Sequence, residues 1–193
     1  MVKILGIDPS LTATGIAIVS KSGDRPPLWH DMHIITTKDR GHPRMNYIQT
    51  EIWRTLSALK NGDIIAMEGP SFGSKGGKSH ELAGGWWMVK HAIYTWLKDE
   101  GVELKGVYII PPRSRAKYAT GNGNAKKEAV MESVQLQTKI NVSDHNIADA
   151  MVLATMGARL GGAAVDVIPP EEMHRVTPLV SVKNQLENGL QSF

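Results

Sequence analysis

The sequence predicts an α/β domain followed by a short extension, on three observations. Apolar runs rich in β-branched residues recur through the first 110 or so positions, which is strand composition. Between and after them, apolar residues fall at three- and four-residue steps, the period of amphipathic helices. The length of 193 residues suits one domain with its own core, placed at residues 1–162, with 163–193 left as the extension.

Residues 4–19 organise the rest. Ile4-Leu5-Gly6-Ile7 and Gly15-Ile16-Ala17-Ile18-Val19 flank a polar, proline-containing connection and read as two strands joined by a hairpin. Asp8 closes the first run at the lip of a buried sheet, where an unpaired charge is costly. The plainer reading of Asp8-Pro9 is a turn starter. Residues 20–27 are turn-rich, and 30–37 form a third strand, broken by Arg40-Gly41-His42-Pro43. Met45, Ile48, Ile52, Leu56 and Leu59 then mark a helix that Asn61-Gly62 is expected to stop.

Residues 63–68 form a fourth strand that ends, like the first, in an acid, Glu68, ahead of Gly69-Pro70. A buried strand disfavours such a residue unless it has a task. Residues 71–79 are rich in Gly, Ser and Lys, as suits a loop overhanging the strand ends. Gly77-Lys78-Ser79 resembles the end of a phosphate-binding loop, but the glycine that opens such a loop would have to stand at Phe72, so that reading fails. Leu82, Trp86, Val89, Ile93, Trp96 and Leu97 make a helical stripe, with Trp87 and Tyr94 on an adjacent face. The stripe is wide enough for a core contact or a dimer interface, and Gly84-Gly85, which permit close approach, tip the reading to the dimer.

A fifth strand over 102–110 is closed by Pro111-Pro112. From there to Lys127 come Arg113, Arg115, Lys117, Lys126 and Lys127 with no acid among them, a local patch suited to a polyanion. Its Thr120-Gly121-Asn122-Gly123-Asn124 turn suits a backbone clamp for phosphate. Residues 125–138 favour helix. A last helix over 145–160, capped by Ser143 or Asp144, is apolar on two faces and therefore buried, yet carries Asp149. The tail beyond Gly161-Gly162 has scattered apolar residues and room for one short helix at most, and is expected to wrap the domain or stay mobile.

Composition sets broad limits. Hydrophobic residues make up 41% and charged residues 21%, ordinary for a soluble protein, and no apolar run approaches the ~20 residues of a membrane span. The absence of cysteine excludes disulfides and thiolate metal sites, and the start is unlike a signal peptide, so an intracellular (cytoplasmic) protein with no membrane contact is expected. A net charge of +3 is a mild bias whose distribution says more than its size.

Asp8, Glu68 and Asp149 share one anomaly, an acid at the edge of a buried element. They converge if the first and fourth strands are neighbours with the last helix over them. Like charges so placed require cations. Magnesium suits hard oxygen ligands, manganese substitutes for it, and an ion pair roughly 4 Å apart can activate water and stabilise the leaving oxygen in phosphodiester hydrolysis.

At this point a resemblance enters. Gly6-Ile7-Asp8-Pro9 with Thr14-Gly15, Met67-Glu68-Gly69-Pro70, Thr120-Gly121-Asn122-Gly123-Asn124-Ala125-Lys126-Lys127 and Ala148-Asp149-Ala150 resemble, in order and spacing, the motifs of the RuvC family of Holliday-junction resolving endonucleases. The resemblance covers residues 4 to about 160 and leaves out the tail. It implies a ribonuclease H-like fold, a five-stranded mixed sheet flanked by helices on both faces. It also implies a homodimer that nicks four-way DNA junctions with magnesium, and makes the helix around Trp86 the dimer helix. The family's further ligand, three residues before the last acid, is here the uncharged Asn146; the substitutes are His145, near the face of Asp149 by helical spacing, and Asp144, turned away by that spacing but at a cap and alone able to restore the negative charge. Lys75, Lys78, Arg113, Arg115, Lys117, Lys126 and Lys127 become candidates for phosphate contacts, and Phe72 for a wedge or a packing role. Other readings are an endonuclease for flaps, forks and other branched DNA, and a silent junction-binding module. An actin-like sugar kinase or chaperone ATPase would need a second such domain.

Overall fold

Alternation decides which way each strand faces. In β1 (Val2–Asp8) Leu5 and Ile7 point to one side of the sheet and Ile4, Gly6 and Asp8 to the other. β2 (Thr14–Lys21), β3 (Leu28–Ile35), β4 (Ile64–Glu68) and β5 (Gly106–Ile110) complete a five-stranded sheet in the order β3-β2-β1-β4-β5. β1, β2 and β3 pair antiparallel, whereas β1, β4 and β5 run parallel, so the sheet is mixed. The structure, a computed structural model, describes residues 1–70 and 79–187. Lys75, Lys78 and Phe72, singled out in the sequence, lie outside the described residues.

Each face has its own helices. α1 (Gly41–Leu56) and α2 (Ser79–Glu100) cover Leu5, Ile7, Ile16, Ile18, Ile65 and Met67 with Ile48, Ile52, Val89, Ile93 and Trp96. The opposite face, Ile4, Ala17, Val19, Ile64 and Ala66, lies under α5 (His145–Leu160), which is flanked by α4 (Lys127–Thr138) and α3 (Pro112–Thr120). This is the helix-on-both-faces arrangement that the resemblance implied, and the order of elements is the one read from periodicity.

Two local expectations, the end of the first helix and the make-up of the tail, are corrected, and the basic segment, which carried no assignment, is resolved. The first helix ends at Leu56 rather than at Asn61-Gly62. Those two residues instead turn the chain into β4, Gly62 at φ +85° and Asn61 accepting the Glu103 amide at 3.0 Å. The basic segment after Pro111 is a helix, α3, with Pro112 in its first turn, where a missing N–H costs nothing, and Gly121 closing it at φ +81°. The tail holds two 3₁₀ turns, Pro170–Arg175 and Thr177–Ser181, rather than one short helix at most.

The tail wraps the domain. Tyr118 of α3 donates its hydroxyl to Asp166 at 2.6 Å, and Arg159 of α5 reaches both Tyr118 (2.9 Å) and Asp166 (2.7 Å). Arg175 is buried and donates to the Tyr118 carbonyl at 2.8 Å, and Asn184 accepts the Val107 amide of β5 at 3.1 Å. No helix among the described residues is long and apolar enough to cross a membrane.

Candidate active site

The register of two strands brings the first acids together. Ile7 pairs with Met67 in the parallel β1–β4 ladder, so the next residues, Asp8 and Glu68, end their strands side by side on the face that α5 covers. Asp149 comes from α5, which rides on the sheet at backbone contact. A Cβ on Gly6 would stand 2.0 Å from the Ala150 carbonyl oxygen, and one on Gly15, the cross-strand partner of Asp8, 2.0 Å from that of Asn146. Two glycines of the opening motif therefore admit the helix that delivers Asp149. On the other side, the Trp86 indole donates to the Glu68 carbonyl at 2.8 Å and ties the end of β4 to α2.

Burial and mutual repulsion make the cluster short of positive charge. Asp8 is 8% exposed and Asp149 4%. Burial, and then the charges of Glu68 and Asp149, push the Asp8 carboxyl well above its ordinary range, against the pull of Arg115 and Lys127. Asp149 is pushed up to about 6, by burial first; Arg115 opposes this, Glu68 adds to it, Lys127 opposes it and Asp144 adds to it.

The resident cation is Arg115. Its Nε donates to Glu68 and its Nη1 to Asp149, with only 12% of the side chain exposed. Burial alone would ease the proton off this guanidinium, but the charges of Glu68 and Asp149 outweigh burial and raise its pKa. The sequence placed Arg115 in a surface patch because its neighbours Arg113, Lys117, Lys126 and Lys127 are basic. The signal that could have found it is helical spacing: Tyr118 and Ala119, three and four residues on, are buried, so Arg115 shares the inward face of α3.

The donor set is one of hard oxygens, which suits magnesium, and the cluster already accepts a cation between two of its members. As the side chains lie, no three carboxylate or imidazole groups among the described residues are gathered tightly enough to hold one ion. The three acids form one electrostatic cluster, bridged by a side chain rather than arranged as a cage.

Of the two substitutes for Asn146, Asp144 acts on the cluster by raising Asp149. It is also the N-cap of α5, accepting the Asn146 amide at 2.7 Å and the Asn146 side-chain amide at 3.0 Å. His145 is half-buried at the first helical position. Among the basic residues, Arg113, Lys126 and Lys127 are exposed. Lys127 is close enough to act on Asp8 and Asp149, and Lys117 donates to Thr177 of the tail at 3.1 Å.

The same architecture is found in solved structures. RuvC of Thermus thermophilus superposes with a TM-score of 0.62 at 19% identity, covering 86% of this chain and 99% of that one. A T. thermophilus RuvC in complex with Holliday junction substrate superposes with a TM-score of 0.61 at 21% identity, covering 86% and 100%. Two curated relatives carry the name crossover junction endodeoxyribonuclease RuvC. That of Gloeobacter violaceus is 28% identical over 173 residues, 86% of this chain and 95% of its own. That of Ehrlichia ruminantium is 30% identical over 158 residues, 78% and 92%. The family model for crossover junction endodeoxyribonuclease RuvC matches residues 4–156. Because that match runs from β1 almost to the end of α5, through every element that supplies an acid or Arg115, the chain belongs to the RuvC family of crossover junction endodeoxyribonucleases.

Proposed function

We propose that this chain is a divalent-metal-dependent endonuclease that nicks phosphodiester bonds in four-way DNA junctions, acting as a homodimer inside the cell. The observation that carries the reading is the buried acid cluster at the ends of β1 and β4 under α5, short of positive charge, in a chain of this family. Residues 1–162 supply the nuclease domain and 163–193 an extension, of which 163–187 brace it.

Asp8, Glu68 and Asp149 hold the ion, with Asp144, rather than His145, as the additional acid. Magnesium is the ion, manganese substituting for it, and when bound it activates water and stabilises the leaving oxygen. The chain's own residues do the rest. The carboxylates fix where the attacking water and the scissile phosphate meet. Lys127 lies beside the cluster and offsets charge as the phosphate arrives. Arg113, Lys117 and Lys126, with Lys75 and Lys78 in 71–78, hold flanking phosphates without reading bases.

The test compares four-way junction, flap and plain duplex, each with magnesium or with chelator, for the wild type and for Asp8→Asn and Asp149→Asn. Expected is nicking of the junction with magnesium alone, and loss of nicking by at least about 100-fold in both variants with junction binding retained. Equal nicking of duplex would defeat the junction reading, preference for flaps would widen the substrate, and binding without cleavage in magnesium and manganese would leave a silent module.

A further inference from the structure

We propose that Arg115 is a resident counter-ion, seated on Glu68 and Asp149 in the metal-free protein and displaced from them by the entering divalent ion. This rests on the reading that Asp8, Glu68 and Asp149 are the ion-holding set.

The geometry points to exchange rather than addition. The guanidinium spends one N–H group on each of two acids that come from different elements, β4 and α5. It is nearly buried there, so it occupies space as well as charge. Among the described residues, no three acids are left gathered to hold an ion while it stays. An ion seated on Glu68 and Asp149 therefore takes oxygens that Arg115 now holds. Two N–H donors in a planar fork suit this bridging, which a lysine ammonium does not reproduce.

The seat is built for an arginine that can leave. Its backbone is fixed: Arg115 lies on α3, whose other end is clamped through Tyr118 to Arg159, Asp166 and Arg175. Its side chain is long, and exposed Arg113 marks the same turn of helix as open to solvent and to a DNA backbone. Exchange of a monovalent guanidinium for a divalent ion also corrects the charge deficit that burial leaves on the cluster. In the metal-free state the guanidinium keeps the acids from driving one another apart.

The experiment follows the guanidinium and the ion separately, on the full chain. In nitrogen-labelled protein without metal, the Arg115 Nε–H gives a resonance shielded from solvent exchange, assigned by its absence in Arg115→Lys. Saturating Mg²⁺ is expected to shift or remove it. By calorimetry, Arg115→Gln is expected to bind Mg²⁺ about tenfold more tightly or better, because an opposite charge beside a carboxylate is worth 1–3 pKa units, a factor of ten each. It also melts at a lower temperature than wild type in chelator. An unchanged Arg115 resonance at saturating Mg²⁺ overturns the proposal while the metal reading stands. So does unchanged or weaker Mg²⁺ binding by Arg115→Gln; if that variant does not fold, the resonance of the wild type decides. Mg²⁺ binding absent from the wild type, or present equally in Asp8→Asn, removes the metal reading and the proposal with it.

Discussion

Two buried aspartates in this chain have opposite fates, and the difference lies in their partners. Asp63 is 1% exposed, but its oxygens accept the backbone amides of Lys3 (2.8 Å) and Lys60 (2.9 Å), so it is a structural staple between β1 and the turn that enters β4. Asp149 is as deeply placed but shares one guanidinium with Glu68, and its carboxyl is pushed up to about 6. Between about pH 4 and about pH 6 the folded protein therefore holds a proton on Asp149 that the unfolded chain, near the ordinary value of 3.8, has already released. The stability this group contributes is full below about pH 4 and is lost as pH rises through about 6, to the extent of about 3 kcal/mol. Asp8, raised by burial and by its acidic neighbours, adds in the same direction. Melting in chelator should thus fall between about pH 4 and about pH 6.5 more steeply in the wild type than in Asp149→Asn; parallel profiles would contradict this. Magnesium should reverse the loss, since it takes the ionised carboxylate. At this scale the acids were legible in the sequence because a charge at the end of a buried run is costly wherever the fold puts it. Arg115 was not, because a cation among cations in sequence reveals nothing of the face it takes until the segment is known to be a helix.

Elements placed the site through two close approaches, and these are open to test. A Cβ on Gly15 meets the Asn146 carbonyl, backbone against backbone, with no rotamer to yield. On Gly85 of α2 it meets the Cδ2 of Leu11 at 2.7 Å, the end of a flexible side chain. Gly15→Ala should therefore cost about 3 kcal/mol or more and lift α5, and with it Asp149, from the cluster, whereas Gly85→Ala should cost about 1 kcal/mol. Urea unfolding of both variants measures the contrast, and equal costs would mean that α5 is not pinned at Gly15. The tail offers a second test. Asp166→Ala removes the acceptor of the Tyr118 hydroxyl and the carboxylate partner of Arg159, which keeps its bonds to that hydroxyl and to the residue 166 carbonyl, an expected loss of about 2 kcal/mol, against about 1 kcal/mol for Tyr118→Phe, which leaves Arg159 and Asp166 paired. The strands and long helices were legible because burial imposes a period on many residues at once. α3 escaped because its buried positions, Ala116, Tyr118 and Ala119, are few and set among basic residues. The 3₁₀ turns of the tail follow from contacts with α3 that only the folded chain supplies.

At the scale of the whole molecule, one chain presents one acid cluster, and a junction nicked on two strands calls for two. In the proposed homodimer, the outer face of α2 is the surface offered to the second copy. Trp87 is 59% exposed on a helix whose other side is already in the core. Trp87 meets Trp86 edge to face at 5.2 Å, and Lys90 lies over both rings, so the pair is held in place before any partner arrives. Gly84, read from sequence as an aid to close approach, faces open space, whereas Gly85 is spent within the chain on Leu11. Because Trp86 also bonds the Glu68 carbonyl, a subunit docked on this face is one helix away from the acids. In a two-fold interface each residue counts twice, and a buried tryptophan is commonly worth about 2 kcal/mol or more. Trp87→Glu should therefore weaken self-association by at least about 30-fold for each copy and leave a folded monomer in sedimentation equilibrium. Its Mg²⁺ affinity should be that of the wild type, since the acids lie in one chain, while paired nicks on one junction should give way to single ones. A Trp87→Glu protein that remains a dimer would place the interface elsewhere, and one that is monomeric yet still cuts both strands together would show that pairing of the cuts does not depend on this contact.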